Sequence, residues 1–282
     1  MPRETLAQQI PTNDALAIID AFAETGDYPR MKFSSRWGEP GLHPDLEVLI
    51  ARAHSHGFVD ISLSNNGATL EGRCAALKTA GLNRMCISLD TLDRKKYEQI
   101  TGVDLLDKVL RGIEEAATIF PHEVKLNVVI IKDTNENEID GIIEWAHARG
   151  VTPQFIEIVG IPREELLAEA FVDLDPVVER LASKATLFCD DRLSKRTTIV
   201  LPSGDIEVRR SRQYPSMYFD WEKIIVHPDG EFGTYMNFRP GIKPSSFTPD
   251  ALATAICELQ AVGPSQWEVQ NVGRLGNRTK VS

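Results

Sequence analysis

Cysteine is scarce in this chain and never clustered. Its four, Cys74, Cys86, Cys189 and Cys257, are scattered over 282 residues. That excludes a disulfide framework and closely spaced metal-ligand pairs, and a cytoplasmic protein with reduced thiols is the expectation. The six histidines show no HExxH spacing, so surface or capping roles are expected for them rather than zinc ligation. Neither a GxSxG elbow nor a Walker-type phosphate loop occurs, which removes the common hydrolase and nucleotide-triphosphatase signatures. No stretch approaches the roughly 20 apolar residues of a spanning helix. Met1 to Gln9 has no basic segment leading into an apolar run, so it does not read as a signal peptide. Repeats and low-complexity tracts are absent. Positive charge is also short: 31 basic against 41 acidic residues give a formal charge of −10. Such a balance disfavours a nonspecific nucleic-acid or anionic-membrane surface.

What is present is a βα succession. Thr12 to Ala23 has helical spacing, with Leu16, Ile19 and Phe22 on one face. Strands are expected at 31–35, 58–64, 84–89, 124–131 and 154–159, and helices at 44–55, 70–80, 105–119 and 137–148. The segment "VKLNVVII" from Val124 is nearly continuously apolar and reads as the strongest strand. Alternation of this kind implies right-handed βαβ units and a parallel sheet. Five strands are too few for an eight-stranded barrel, so an open or partial barrel is expected. After Gly160 the pattern changes to a charged helix and two strand–turn–strand units, centred on Pro202-Ser203-Gly204-Asp205 and Pro228-Asp229-Gly230. Residues 1–160 are thus expected to form the barrel and 161–282 a β-rich extension.

Short polar motifs stand at the carboxyl ends of these strands, where parallel β/α barrels place their active sites. They are Trp37-Gly38-Glu39-Pro40, Ser64-Asn65-Asn66-Gly67 and Ser88-Leu89-Asp90. A glycine at a strand end lets the backbone approach a ligand closely, and Ser and Asn side chains there can bond a ribose or carboxylate. Further along come Ile100-Thr101-Gly102, Lys125-Leu126-Asn127 and Asn135-Glu136-Asn137-Glu138. Cys86, on an expected strand, and Cys257, on an apolar helix face, read as buried structural thiols. Arg209-Arg210-Ser211-Arg212 reads as a solvated strand end.

Taken together and in order, these motifs resemble the radical S-adenosylmethionine (radical SAM) enzymes, and most closely the GTP cyclases that begin molybdopterin synthesis. The resemblance implies a partial parallel barrel of the radical SAM type, lacking its first strand. It also implies S-adenosylmethionine (SAM) as cofactor, and it carries Gly38, Glu39, Pro40, Ser64, Asn66, Ser88, Lys125 and Asn127 over as contacts to SAM or substrate. In that family a [4Fe-4S] cluster held by CxxxCxxC donates an electron to SAM and releases a 5′-deoxyadenosyl radical. No such cysteines occur here. The chain begins Met1-Pro2, as though one residue after the family's last cluster cysteine. Trp37 stands where the family has glycine. Counting from Asp229-Gly230, the family's second-cluster cysteines fall on Tyr218, Trp221 and Tyr235, which argues against GTP as the substrate.

Three readings stay open on sequence. One is a radical SAM enzyme with a small-molecule substrate, its cluster-binding segment absent from this sequence. The second is a degenerate relative that binds SAM or a nucleotide without radical chemistry. The third is a non-catalytic partner subunit using Trp37, Tyr218, Trp221 and Tyr235 as an aromatic contact face.

Overall fold

A computed structural model describes residues 9–34, 38–158, 168–191, 196–210, 224–227, 230–233 and 242–261. Trp37, Tyr218, Trp221 and Tyr235 lie outside them. The chain divides into two compact units, residues 29–217 and the paired ends 1–28 with 218–282. The boundary is therefore not at residue 160, because a strand well beyond that point belongs to the main sheet.

The larger unit alternates strands and helices. Its elements are β1 (Arg30–Phe33), α2 (Leu46–Ser55), β2 (Asp60–Asn65), α3 (Cys74–Thr79), β3 (Arg84–Ser88), α4 (Arg94–Thr101) and α5 (Leu106–Ile119). There follow β4 (Val124–Ile130), α6 (Ile139–His147), β5 (Thr152–Glu157), α7 (Asp175–Ala182), β6 (Leu187–Asp191), β7 (Arg196–Leu201) and β8 (Gly204–Arg209). The helices follow from spacing. In α5, Leu106, Val109, Ile113 and Ala116 are buried on one face, the stripe that anchors a helix to a sheet. In α4 the Asp93 carboxylate caps the first turn, accepting from the Lys95 and Lys96 amides at 2.9 and 3.0 Å.

The eight strands form one sheet in the order β1-β2-β3-β4-β5-β8-β7-β6. β1 to β5 pair in parallel, and β8 joins β5 as a sixth parallel strand. β7 and β6 extend the edge antiparallel. The turn at Pro202-Ser203 appears as expected, but its second strand serves the barrel sheet and not a separate extension.

The strands from β2 to β5, and β8, present two chemistries. Ile61, Leu63, Met85, Ile87, Leu126, Val128 and Phe155 have no solvent exposure and form the core with the helices. The alternate positions carry Ser62, Ser64, Cys86, Ser88, Lys125, Asn127, Gln154 and Glu207. β4 shows the alternation directly: Lys125, Asn127 and Val129 are half-buried between fully buried neighbours. The strand expected at 124–131 is thus present as Val124–Ile130, with its two polar side chains on the half-buried face.

The smaller unit contains α1 (Thr12–Thr25), β9 (Ile225–Val226), β10 (Phe232–Gly233) and α8 (Pro249–Ala261). β9 and β10 pair antiparallel. Phe22 meets Tyr28 edge-on at 5.2 Å and lies 5.7 Å from Phe232, ring centre to ring centre. Cys257 on α8 is exposed, against the expectation of a buried thiol, since it falls outside the Leu252, Ala255 and Ile256 face. Among the described residues no helix is long and apolar enough to cross a membrane.

Candidate functional site

The end of β1 leads into Gly38-Glu39-Pro40, and Pro40 opens a 3-10 turn, Pro40–Leu42. Glu39 binds with both carboxylate oxygens. Oε1 accepts from the Gly41 amide and Oε2 from the Asn66 amide, each at 2.7 Å. The side chain thereby ties the loop after β1 to the loop after β2. Burial pushes its carboxyl above the usual range, against the two amide bonds and Arg73, which pull it down. Arg73 supports the same loop from behind. Its guanidinium donates to the Gly41 carbonyl and forks onto Glu47 at 2.5 and 2.7 Å. A Cβ on Gly41 would collide with the Thr69 hydroxyl, so only glycine admits this approach of the two loops.

After β2, Asn65 is buried and its Oδ1 accepts from the Gly67 amide at 2.7 Å. Asn66 is exposed, and its Oδ1 accepts from Ala68 at 3.0 Å. Gly67 has φ 79°, and a Cβ there would stand 2.8 Å from Val109 Cγ1. The turn is set by its own side chains and by the pressure of α5 beneath it.

Strand register brings four of the expected residues onto one polar face. Ser64 lies opposite Cys86, Cys86 opposite Lys125, and Ser88 opposite Asn127. Ser88 is exposed, whereas Lys125 and Asn127 are half-buried. Asn127 Oδ1 is buried without a hydrogen-bond partner among the described residues. A ligand donor, hydroxyl or ammonium, satisfies such an acceptor. Gly38, Glu39, Pro40 and Asn66 form the loops at the ends of β1 and β2. Glu39 faces inward on the two loops, as a clamp.

Sequence reasoning missed the partners of this face. Lys125 Nζ is 2.7 Å from Glu207 on β8, so it is an engaged cation and not a solvated edge residue. Gln154 donates to the other oxygen of Glu207 at 2.5 Å, and Arg196 adds a contact at 3.0 Å. The missed signal was alternation within "DIEVRR". Ile206 and Val208 point into the core while Glu207 and Arg209 share the polar face.

The Ser88-Leu89-Asp90 motif ends in a second unforeseen feature. Asp90 Oδ1 accepts from the Val129 amide at 2.8 Å, and burial lifts its carboxyl to about 6 against that bond. Asn135, fully buried, donates to the Asp90 and Val129 carbonyls at 2.7 and 2.8 Å and accepts from Ile131 at 2.7 Å. Glu138 accepts from Thr91 and from Lys96, at 2.6 and 2.5 Å. The Asn135 to Glu138 motif therefore locks the ends of β3 and β4. Arg210, expected as solvated, is 8% exposed and bonds Asp175, Asp190 and Thr197 at 2.7 to 2.8 Å.

The cysteines do not suit an iron–sulfur cluster. Cys74 on α3 is fully buried, and burial with Glu115 beside it pushes its thiol up to about 12, unsuited to a thiolate ligand. Cys86, Cys189 and Cys257 stand on β3, β6 and α8. Among the described residues no three metal-ligating side chains come together.

Comparison with known proteins agrees with this architecture. The family model for the radical SAM superfamily matches residues 2–146, and the chain belongs to that superfamily. Within it, the chain is similar to proteins named probable GTP 3′,8-cyclase. That of Pyrococcus abyssi is 37% identical over 205 residues, covering 70% of this chain and 66% of that protein. That of Archaeoglobus fulgidus is 31% identical over 256 residues, covering 89% and 84%. The match spans just under two thirds of several relatives, 65% for that of Pyrococcus horikoshii. Among solved structures, Streptococcus suis SuiB bound to S-adenosylmethionine shares the fold, with a TM-score of 0.60 at 12% identity over 87% of this chain and 58% of that one.

Proposed function

We propose that this chain is the SAM- and substrate-binding barrel of a radical SAM protein related to the GTP 3′,8-cyclases. The observation that carries the reading is the convergence of Ser64, Ser88 and Asn127 on one polar face, at and near the ends of adjacent parallel strands. Beside them, Glu39 fixes the Gly38-Glu39-Pro40 loop against Asn66. In this reading the Gly38 to Pro40 backbone and Ser64, Asn66 and Ser88 hold SAM, while Lys125 and Asn127 face the substrate. SAM, when bound, supplies the reactive adenosyl group, and the barrel contributes orientation and exclusion of water. The names of the relatives support a substrate of the purine nucleoside or nucleotide class. Free cysteines suit a reducing compartment such as the cytoplasm.

No reaction step is assigned to an iron–sulfur cluster, since this chain's cysteines do not suit one. That scatter favours, as a second reading, a barrel that binds SAM or a nucleotide without radical chemistry.

Calorimetric titration of the chain with SAM tests the binding site common to both readings. Binding is expected, and Ser88→Ala should weaken it about tenfold, the effect of one lost hydrogen bond, whereas Asn127→Ala, on the substrate side, should change it less than about twofold. No binding by the unaltered chain would sink the proposal.

A further inference from the structure

Asn66-Gly67 is the only Asn-Gly pair in the chain, and it lies directly after β2, in the loop that Glu39 clamps. Such a pair carries its own chemistry. The main-chain nitrogen of the second residue can attack the side-chain carbonyl carbon of the first, and glycine leaves that approach unobstructed. The new C–N bond closes a five-membered succinimide. The amide –NH2 departs as ammonia, taking up through solvent the proton that the attacking nitrogen loses. Water then opens the ring at one carbonyl or the other. One opening gives aspartate; the other gives isoaspartate, in which the main chain runs through the side-chain methylene. Water is the only co-reactant.

The loop prepares one partner of this reaction and restrains the other. Asn66 is exposed, so water reaches the ring and ammonia can leave. Its Oδ1 accepts from the Ala68 amide at 3.0 Å. That donor stabilises the negative charge that gathers on the oxygen as the carbon is attacked. The restraint falls on the nucleophile. The Gly67 nitrogen donates to Asn65 Oδ1 at 2.7 Å, and Asn65 is only 4% exposed. Attack must therefore wait until that bond breaks.

Either product adds a carboxylate to the loop. Glu39 Oε2 accepts from the Asn66 amide at 2.7 Å, so the new charge arises beside the carboxylate that joins the two loops. Like charges in a half-buried site repel strongly. Isoaspartate also lengthens the main chain by one carbon, which carries Gly67 away from Asn65.

We infer that Asn66 is a self-modification site, guarded by Asn65, and that its conversion opens the Glu39 clamp and retires the ligand-binding face. The last step rests on the proposed function, in which the clamped loop holds SAM.

The test is incubation of the full chain at mildly alkaline pH, folded and in urea, followed by peptide mass mapping and isoaspartyl methyltransferase labelling. Amide-to-acid exchange is expected at Asn66, while Asn83, exposed but followed by Arg84, stays intact. The folded chain should convert about fivefold more slowly than the unfolded one, the worth of the Gly67–Asn65 hydrogen bond. Asn65→Ala should abolish that difference; if this variant does not fold, the unaltered chain with and without urea decides. An intact Asn66 in folded protein, after the unfolded chain has converted fully, would overturn the site. Equal folded and unfolded rates would overturn the guard.

Calorimetry with SAM then reads the clamp. Asn66→Ala keeps the main-chain donor to Glu39 and should weaken binding about threefold, whereas Asn66→Asp and the aged protein should weaken it about tenfold or more. Asn66→Asp no worse than Asn66→Ala would overturn the opening of the clamp. Fresh protein that fails to bind SAM would sink the proposed function and the last step with it, and the modification stands or falls on the mass alone.

Discussion

Asp90 completes the β3–β4 ladder with a carboxylate oxygen, where a main-chain carbonyl ordinarily sits. Its buried carboxyl titrates near 6, against a reference of 3.8, so the folded chain holds this proton more tightly than the unfolded one. The stability it contributes is therefore full below pH 3.8 and is lost as pH rises through about 6. Asp90→Asn keeps an acceptor for the Val129 amide and removes the charge. It should stabilise the protein by about 1–3 kcal/mol near neutral pH, the difference vanishing at about pH 4. Urea unfolding of both proteins at the two pH values checks this; a difference independent of pH would rule out the charge as its cause. Asp90 was visible in the sequence as part of a motif, but its burial was not. The reverse holds for Lys125. Its position in the motif was legible, whereas its partner lies 82 residues away, beyond any local pattern.

Among elements, the five strands from Arg30 to Glu157 were readable because each sits between a helix stripe and a turn signal. β8 was not. Its spacing from β7 marks a hairpin, and nothing local says that its other edge joins β5. The pairing of Phe155 with Val208 depends on tertiary contact, which overrides the hairpin reading. The helix expected at 70–80 is shorter, beginning at Cys74, because Gly67 to Arg73 form turns that carry the Glu39-linked loop. The 3-10 turn Glu136–Glu138 ahead of α6 shows how one side chain can join elements. Asn135→Ala leaves two buried carbonyls and one amide without their partner. A loss of about 3 kcal/mol or more is expected, and chemical denaturation measures it. A change under about 0.5 kcal/mol would mean that water replaces the amide at no cost.

At the scale of the molecule, the main sheet and its polar face belong to the unit of residues 29–217, and the paired chain ends form another. The four cysteines are divided between these units and among four elements. Incubation of the chain with iron and sulfide under reducing conditions should therefore yield no stoichiometric [4Fe-4S] absorption. A stable cluster would show that the thiols converge in a state other than the one described. The superfamily was legible from motif order, since strand-end motifs survive as short local strings. The charge balance of the face was not, because it is assembled from β4, β5, β7 and β8 together.

The late arrival of β8 also orders events during folding. β1 to β5 can assemble from successive βαβ units, but β8 must return past β6 and β7 to find β5, closing a separation of 53 residues between Gln154 and Glu207. Long closures of this kind are slow. For that interval Lys125 stands without its carboxylate, and the half-made sheet exposes the bare edge of β5 beside a naked ammonium. A chain whose first five strands pair before β8 arrives would at that point be most open to anions and to stray strands, and the insertion of one short strand would end both hazards together.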